Sequence, residues 1–408
     1  MSNNSNSNSF NVQGVGEYIL PWSGRGTNYT DEDIATVVEV MKYSDPQTQG
    51  NNLLNFEKIF SRYHGGLDAF ATSSGAGSLE ITADLIDIKP GDEVIVPAHT
   101  YVASAIPYAR RGAKLVWADI DIKTRVVSSK TILDKITSKT KAIVVVHLYG
   151  LCIEMEEIVL IAKQRNLWLI EDCAQALGAT YKDKKCGTFG HLSIYSFHAQ
   201  KNITTLGEGG MLMSSVEEFS EKIPGLRHNG HRAFPNKSHY WKPAMVNVDF
   251  DINQVWPHNY SIGEAQCALG ISLMTRLDEI NARRVNLANQ IIRGLSDFPE
   301  LKFQYIPNGS SHVYSNLCAL FTSQKKGIDR DSLIILLNNK YKIQPVVQNN
   351  PLYRYPIMIK AGFGESDCPN TDLFFDNMLS FPFYEWYSQE QINYLVDSIQ
   401  KSILELRY

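Results

Sequence analysis

No stretch of the sequence reaches the roughly 18 consecutive apolar residues needed to span a bilayer as a helix. Residues Met1 to Ser9 are rich in Asn and Ser and contain no apolar core of a secretion signal, so the expected location is the cytoplasm. Charge of either sign is not in excess: 39 Lys and Arg against 43 Asp and Glu give a formal net charge of −4. That balance gives nucleic acid or an anionic membrane no electrostatic hold, although a small anionic ligand needs only a local site. Cysteine is sparse. Cys152, Cys173, Cys186, Cys267, Cys318 and Cys368 form no C-x-x-C pair and have no histidine at zinc-ligand spacing. They are expected to be reduced, buried small hydrophobes, and no metal site is expected. No internal repeat or flexible linker is visible. An Asn28-Tyr-Thr30 glycosylation triplet is present, but it has no use without a secretion signal.

What the chain does have is length and pattern. Its 408 residues, 44% apolar and 20% charged, can bury a large core and suggest two or three domains. Residues 1 to 16 are polar and of low complexity, and read as a disordered tail. Order is expected from Tyr18 onward. Thr30-Asp-Glu-Asp33 then starts a helix with Ile34, Val37, Val38 and Met41 in helical period, and a second helix runs from Leu53 to Tyr63. Four continuous apolar runs follow: Glu93 to Pro97, Lys114 to Ala118, Ala142 to Val146 and Leu167 to Ile170. Such runs suit strands covered on both faces. Helical stretches such as Ile153 to Arg165 lie between them, so the expected fold is α/β with a mostly parallel sheet, its ligands beyond the carboxyl ends of the strands. A long helix, open to a break, is expected from Ser261 to Asp297. Beyond it come strands at Val313 to Phe321 and Ile343 to Val347, and helices at Asp329 to Asn338 and Gln389 to Glu405. The expected division is a large domain over 17–265 and a smaller C-terminal α/β domain over 266–408.

Three segments carry chemistry. In Leu167-Trp-Leu-Ile-Glu-Asp-Cys-Ala-Gln175 a buried strand ends in Asp172, a costly place for a carboxylate without a cationic partner. A protonated pyridine nitrogen would be one such partner; a cap on the next segment is the plainer alternative. In Leu192 to Gly210 a strand leads to Lys201 and then to a Gly-Glu-Gly-Gly turn. A lysine there is ordinarily a solvated surface residue, but Ser196 and the glycines that admit close backbone approach give it unusual company. In Thr72-Ser-Ser-Gly-Ala-Gly-Ser78 small residues open a helix, offering free N–H groups to a phosphate, although such starts are common as generic loops.

Together and in this order the three segments resemble the DegT/DnrJ/EryC1/StrS family of sugar aminotransferases, which have the fold of aspartate aminotransferase. The resemblance runs from Phe56-Glu57 to Leu379-Ser-Phe-Pro-Phe383, and is most specific at Glu171-Asp-Cys-Ala-Gln175 and Ser196-Phe-His-Ala-Gln-Lys-Asn202. It implies a seven-stranded central sheet and pyridoxal 5′-phosphate (PLP) as cofactor, with Lys201 as the Schiff-base lysine and proton carrier. It further implies Asp172 on the pyridinium nitrogen, Gln175 on the ring hydroxyl, and Tyr101 stacked on the ring, unless Tyr101 is a core tyrosine with a satisfied hydroxyl. The phosphate would lie between the Gly75 and Ala76 amides, the Ser196 hydroxyl and Asn259 of a second subunit, which makes the working unit a homodimer.

Three departures from the family pattern matter. Ala76 stands where a hydroxyl residue is common. The run after Lys201 is one residue longer than in many relatives. Ser261 replaces an arginine often found after the Asn-Tyr pair, which leaves the donor carboxylate without its usual partner; Arg227 and Arg232 are candidate substitutes.

The function the resemblance implies is transfer of an amino group from L-glutamate to a keto-sugar, most simply a nucleotide-linked one. A sugar dehydratase of the same family replaces the lysine with histidine, so Lys201 argues against it. Retention of Lys201, Asp172 and Gln175 argues against a non-catalytic regulatory protein. A cyclitol such as an inosose remains an alternative acceptor, and Val346 to Pro356 is the segment expected near the acceptor site.

Overall fold

A computed structural model describes residues 18–231, 255–323 and 325–408. The expected tail over 1–16 and the candidate Arg232 lie outside the described residues. The chain opens with α1 (Asp31–Tyr43), α2 (Asn51–Tyr63), β1 (Asp68–Thr72), α3 (Gly75–Leu85), β2 (Glu93–Pro97), α4 (Ile106–Arg110) and β3 (Lys114–Ala118). It continues through α5 (Ser129–Leu133), β4 (Thr140–Val146), α6 (Glu156–Arg165), β5 (Trp168–Asp172), a short hairpin of β6 (Thr180–Tyr181) and β7 (Lys184–Lys185), β8 (Leu192–Ser196), β9 (Gly210–Ser214) and α7 (Glu217–Arg227). Then come α8 (Glu264–Thr275), α9 (Leu277–Gly294), β10 (Leu301–Phe303), β11 (Leu317–Phe321), α10 (Arg330–Tyr341), α11 (Pro356–Lys360), α12 (Pro369–Asn377), β12 (Met378–Phe381) and α13 (Gln389–Arg407).

The central sheet has seven strands in the order β1-β9-β8-β5-β4-β2-β3. Only β9 runs against its neighbours; β8, β5, β4, β2 and β3 pair in parallel. These strands read as unbroken apolar runs because helices cover both faces: Val94, Ile95, Val96, Ile143 and Val145 are all fully buried. Each such side chain contributes about 1.5–3 kcal/mol by leaving water. Chain order reverses at β2, which has β3 on one side and β4 on the other, and a ligand crevice belongs at such a switch point.

The helix expected over 261–297 is two helices, broken at Arg276. Helix α8 is fixed to the start of α2 by Glu264, a fully buried carboxylate that accepts N–H bonds from Gly50 (2.8 Å), Asn52 (2.7 Å) and Leu53 (3.2 Å). It does the capping that Gly50, without a side chain, cannot. Cys267, Leu269 and Leu273 of α8, with Leu277 and Ile280 of α9, join the core around the central sheet. Leu287, Ala288 and Ile291 of α9 join a second core with Leu20, α10, α13 and the antiparallel sheet β10-β11-β12. Helix α9 thus contributes to both cores, its first half to the one around the central sheet and its second half to the other.

One expected strand is shorter than its sequence suggests and another is absent. Residues 313–316 are irregular, with Tyr314 at φ +47°, and only 317–321 pair. Residues 343–347 make single bridges, Ile343 to Leu20 and Val346 to Ser380, because Pro345 between them has no N–H to give a ladder. Helix α1 starts as expected, with Thr30 and Asp33 in a reciprocal cap, but of its four periodic apolar residues only Val37 packs on the core, and Ile34, Val38 and Met41 are exposed. All six cysteines are buried.

Candidate active site

A cavity of about 730 Å³ opens at the carboxyl ends of β2, β4, β5 and β8. On one wall, α3 begins. The Ser74 hydroxyl accepts the Gly77 N–H (3.0 Å) and the Ser74 carbonyl the Ser78 N–H (3.1 Å). The Gly75 and Ala76 amides, ahead of the first intrahelical bond, face the cavity at the positive end of the helix. Close packing brings Ser196 beside them: a β-carbon on Gly75 would lie 3.0 Å from the Ser196 β-carbon, and one on Gly210 would lie 2.4 Å from the Ser74 carbonyl carbon. Glycine is therefore required at position 210 for β9 to pass this helix start.

Asp172 ends β5 between Val146 of β4 and Ile194 of β8. It is buried, accepting from the Ser104 hydroxyl (2.7 Å) and the Ala174 N–H (3.0 Å). Burial pushes its pKa up, against those bonds and the Lys201 charge, which pull it down. Lys201 sits in the loop after β8, its amide bonded to the His198 carbonyl (2.9 Å), and burial lowers its pKa while Asp172 opposes the shift. The N-terminal segment packs on this loop so closely that a β-carbon on Gly26 would overlap the Lys201 carbonyl, 2.2 Å away. The Gln175 Oε1 accepts the Tyr149 N–H (2.7 Å), which leaves its NH2 group as the donor available to the cavity.

The donor set fits PLP: a buried lysine amine, a buried carboxylate held by two donors, an amide donor, and free helix-start amides with a serine hydroxyl, all around one cavity. Tyr101, 62% exposed, lines that cavity and is not a core tyrosine. Gln348, Asn349 and Tyr355 of the 346–356 segment line it as well. Asn259 is exposed and does not line the cavity of its own chain.

Arg227 is not a substitute carboxylate binder. Its guanidinium is buried away from the cavity, paired with Glu57 and donating to the Ala71 carbonyl (2.7 Å). Arg284, the one guanidinium among the described lining residues, is also committed: to the Tyr314 (2.9 Å), Ser315 (3.0 Å) and Gly26 (3.3 Å) carbonyls and to Glu385 (3.3 Å).

Several functional neighbours were not singled out from sequence. Ser104 holds Asp172 from 68 positions away. Glu171 is fully buried and clamps the loop after β7, accepting from Gly187 (2.8 Å), Phe189 (2.7 Å) and Gly190 (2.5 Å). The fold also brings His147 within 4.8 Å of Cys152 and Cys186, although no sequence spacing linked them. Both ring nitrogens of His147 are already committed, Nδ1 accepting from Ile153 (3.0 Å) and Nε2 bonded to Glu171 (3.0 Å).

Residues 28–400 match the model of the DegT/DnrJ/EryC1/StrS aminotransferase family. The chain belongs to this family. It is 30% identical to the GDP-perosamine synthase of Escherichia coli O157:H7 over 87% of this chain and 91% of that one. It is equally identical, at 30%, to the dTDP-3-amino-3,6-dideoxy-alpha-D-galactopyranose transaminase of Aneurinibacillus thermoaerophilus, over 86% of this chain and 90% of that one. The crystal structure of an aminotransferase from Psychrobacter cryohalolentis superposes with a TM-score of 0.84 at 26% identity, over 95% of this chain and all of that one. This chain is thus an enzyme of the sugar aminotransferase family, whose members depend on PLP. These two relatives, one named for a GDP-sugar and one for a dTDP-sugar, are each 30% identical to it, so the identity to this pair does not choose the acceptor.

Proposed function

We propose that this protein is a PLP-dependent aminotransferase that moves an amino group from L-glutamate to the keto group of a nucleotide-linked sugar. One observation carries the reading: Asp172, buried, and Lys201, half-buried with its amine drawn out of water, line one cavity together with the helix start at Gly75 and Ala76. When bound, PLP supplies the electron sink that lets nitrogen leave one carbon and join another. The Asp172 carboxylate would accept from the protonated ring nitrogen, and the Gln175 NH2 would donate to the ring hydroxyl. The Gly75 and Ala76 N–H groups and the Ser196 hydroxyl would hold the phosphate, and Tyr101 would cover the ring. Burial disfavours the charged form of Lys201, so its amine Nζ is suited to take a proton from one carbon and return it to another.

Asn259 would reach the phosphate from a second copy of the chain. The exposed stripe of Ile34, Val38 and Met41 on α1 supports such a partner, since apolar side chains in a row cost free energy in water. The test is incubation with 15N-labelled L-glutamate and a panel of GDP- and dTDP-linked keto-sugars together with an inosose. A 15N-labelled amino sugar from a nucleotide-linked acceptor is the expected product. Labelled amino-inositol alone would favour the cyclitol reading, and loss of water without label transfer would favour the dehydratase.

A further inference from the structure

Tyr149 follows β4 in His147-Leu-Tyr-Gly150, next to the cavity-lining Leu148, and has no task in the proposed function. Its backbone is left-handed, φ +63°, a conformation that costs a bulky side chain about 1 kcal/mol or more unless something holds it. The side chain helps to hold it, beside backbone bonds from the Tyr149 N–H to Gln175 and from the Asn316 N–H to the Tyr149 carbonyl. Its ring is fully buried and packs against the rings of His99 and Phe374, with centroids 5.9 and 6.4 Å away. Its hydroxyl lies 2.7 Å from His99 Nε2. Burial beside Arg125 keeps that imidazole neutral, and whichever of the two groups donates, the hydroxyl retains a lone pair for another donor.

That donor is Asn349, whose Nδ2 approaches the Tyr149 hydroxyl to 3.4 Å. Asn349 is itself left-handed, φ +57°, and lines the cavity opposite the cofactor residues' strand ends, in the 346–356 segment. With its NH2 turned to Tyr149, the group it has left for a ligand is its carbonyl Oδ1. On the other side, the backbone N–H that the left-handed turn presents is the one that fixes Gln175 Oε1 at 2.7 Å. One side chain therefore orients two amides of opposite polarity: Gln175 as a donor and Asn349 as an acceptor.

We infer that Tyr149 is a positioning residue that sets both amides, and that the Asn349 carbonyl accepts a hydrogen bond from a hydroxyl of the sugar. The inference rests on the sugar aminotransferase reading. It predicts a division that general loosening of the site would not give. Removing the hydroxyl frees Asn349 and leaves the backbone N–H on Gln175. Removing the whole side chain frees both.

The variants are Y149F, N349A, their double and Y149G. Each is measured for its PLP dissociation constant and for the absorption band of lysine-bound PLP near about 400–430 nm. The bleaching of that band is then titrated with L-glutamate and with two amino sugars, GDP-perosamine and dTDP-3-amino-3,6-dideoxy-alpha-D-galactopyranose. In that direction the amine nitrogen passes to the cofactor, one water supplies the carbonyl oxygen of the keto-sugar, and the Lys201 amine is released, so atoms balance with water as the only other reactant.

For Y149F the expected result is unchanged PLP affinity and half-saturation by L-glutamate, with half-saturation by the amino sugar raised about five- to tenfold, the net worth of one hydrogen bond. N349A should match it, and the double variant should be no worse than either single one. Y149G should bind PLP more weakly as well. Equal losses for glutamate and sugar in Y149F, additive losses in the double variant, or wild-type PLP affinity in Y149G would each overturn the inference. So would a wild type that responds to L-glutamate and to neither amino sugar. A wild type that forms no band with PLP would instead sink the functional reading on which this rests.

Discussion

Asp172→Asn changes one atom and separates the two tasks a carboxylate at this position could have. The side chain is buried and makes two hydrogen bonds, from the Ser104 hydroxyl at 2.7 Å and from the Ala174 N–H at 3.0 Å. An asparagine keeps both contacts: its Oδ1 accepts from Ala174, and its NH2 donates to the Ser104 oxygen, since a hydroxyl can accept as well as donate. The cap on the following segment therefore survives. What is lost is the negative charge. Burial raises the pKa of Asp172, so ionising it opposes folding, and its contribution to stability falls as pH rises through the interval above 3.8. The cofactor-free D172N protein should consequently melt no lower than the cofactor-free wild type at pH 7 to 8.

Catalysis should respond in the opposite sense. Truncating one partner of a buried, hydrogen-bonded charge pair costs about 3–5 kcal/mol. At about 1.4 kcal/mol per factor of ten, that is a loss of about 150- to 5,000-fold if the full cost falls on the transition state. The assay is single-turnover bleaching of lysine-bound PLP by L-glutamate in a stopped-flow spectrophotometer, alongside a melting curve of the cofactor-free protein. A D172N rate within tenfold of wild type would refute the assignment and leave Asp172 as a cap alone.

Gly210→Ala should weaken PLP binding, because its β-carbon would lie 2.4 Å from the Ser74 carbonyl carbon and 2.6 Å from the Gly75 nitrogen, both backbone. Overpacking of about 1–3 kcal/mol translates to about 5- to 150-fold in the dissociation constant, and equilibrium dialysis that finds no change would contradict the packing argument. Arg227→Met should cost about 3–5 kcal/mol of stability by stranding Glu57, while half-saturation by L-glutamate stays the same at temperatures where the variant is folded. A selective rise in that half-saturation would return Arg227 to the donor site. Burial pushes the pKa of His64 down to about 4 and those of His99 and His312 to about 3. Since their unfolded values lie near about 6.5, the unfolded chain takes up protons first, and stability falls as pH drops from about 6.5 toward 4. Urea midpoints at pH 7.5 and 5.0 check this, and His64→Leu should reduce the slope.

The strands of the central sheet were legible because helices cover both faces, so burial is written into every residue of Glu93–Pro97 and of Ala142 to Val146. The site's ends were legible for a related reason: a carboxylate closing an apolar strand and a lysine before a glycine turn are hard to explain as packing. Periodicity in α1 grouped Ile34, Val37, Val38 and Met41, yet only Val37 packs on the core, since period alone does not say what covers a face. Segment 343–347 has strand composition, yet Pro345 limits it to isolated bridges. What stayed hidden acts across long sequence separations. Ser104 is 68 residues from the carboxylate it holds, Tyr149 bonds Gln175 through a backbone N–H that every residue type but proline carries, and Arg227 looked available until the fold supplied Glu57.

The central claim is that Lys201 bonds PLP and hands nitrogen between substrates, and an absorption spectrum tests it most directly. Wild type and Lys201→Ala are mixed with PLP, and L-glutamate is then added. The account predicts a band near about 400–430 nm in wild type alone, which L-glutamate replaces with one near about 330 nm. A wild type without the first band, or a Lys201→Ala variant that retains it and still responds to L-glutamate, would contradict the account.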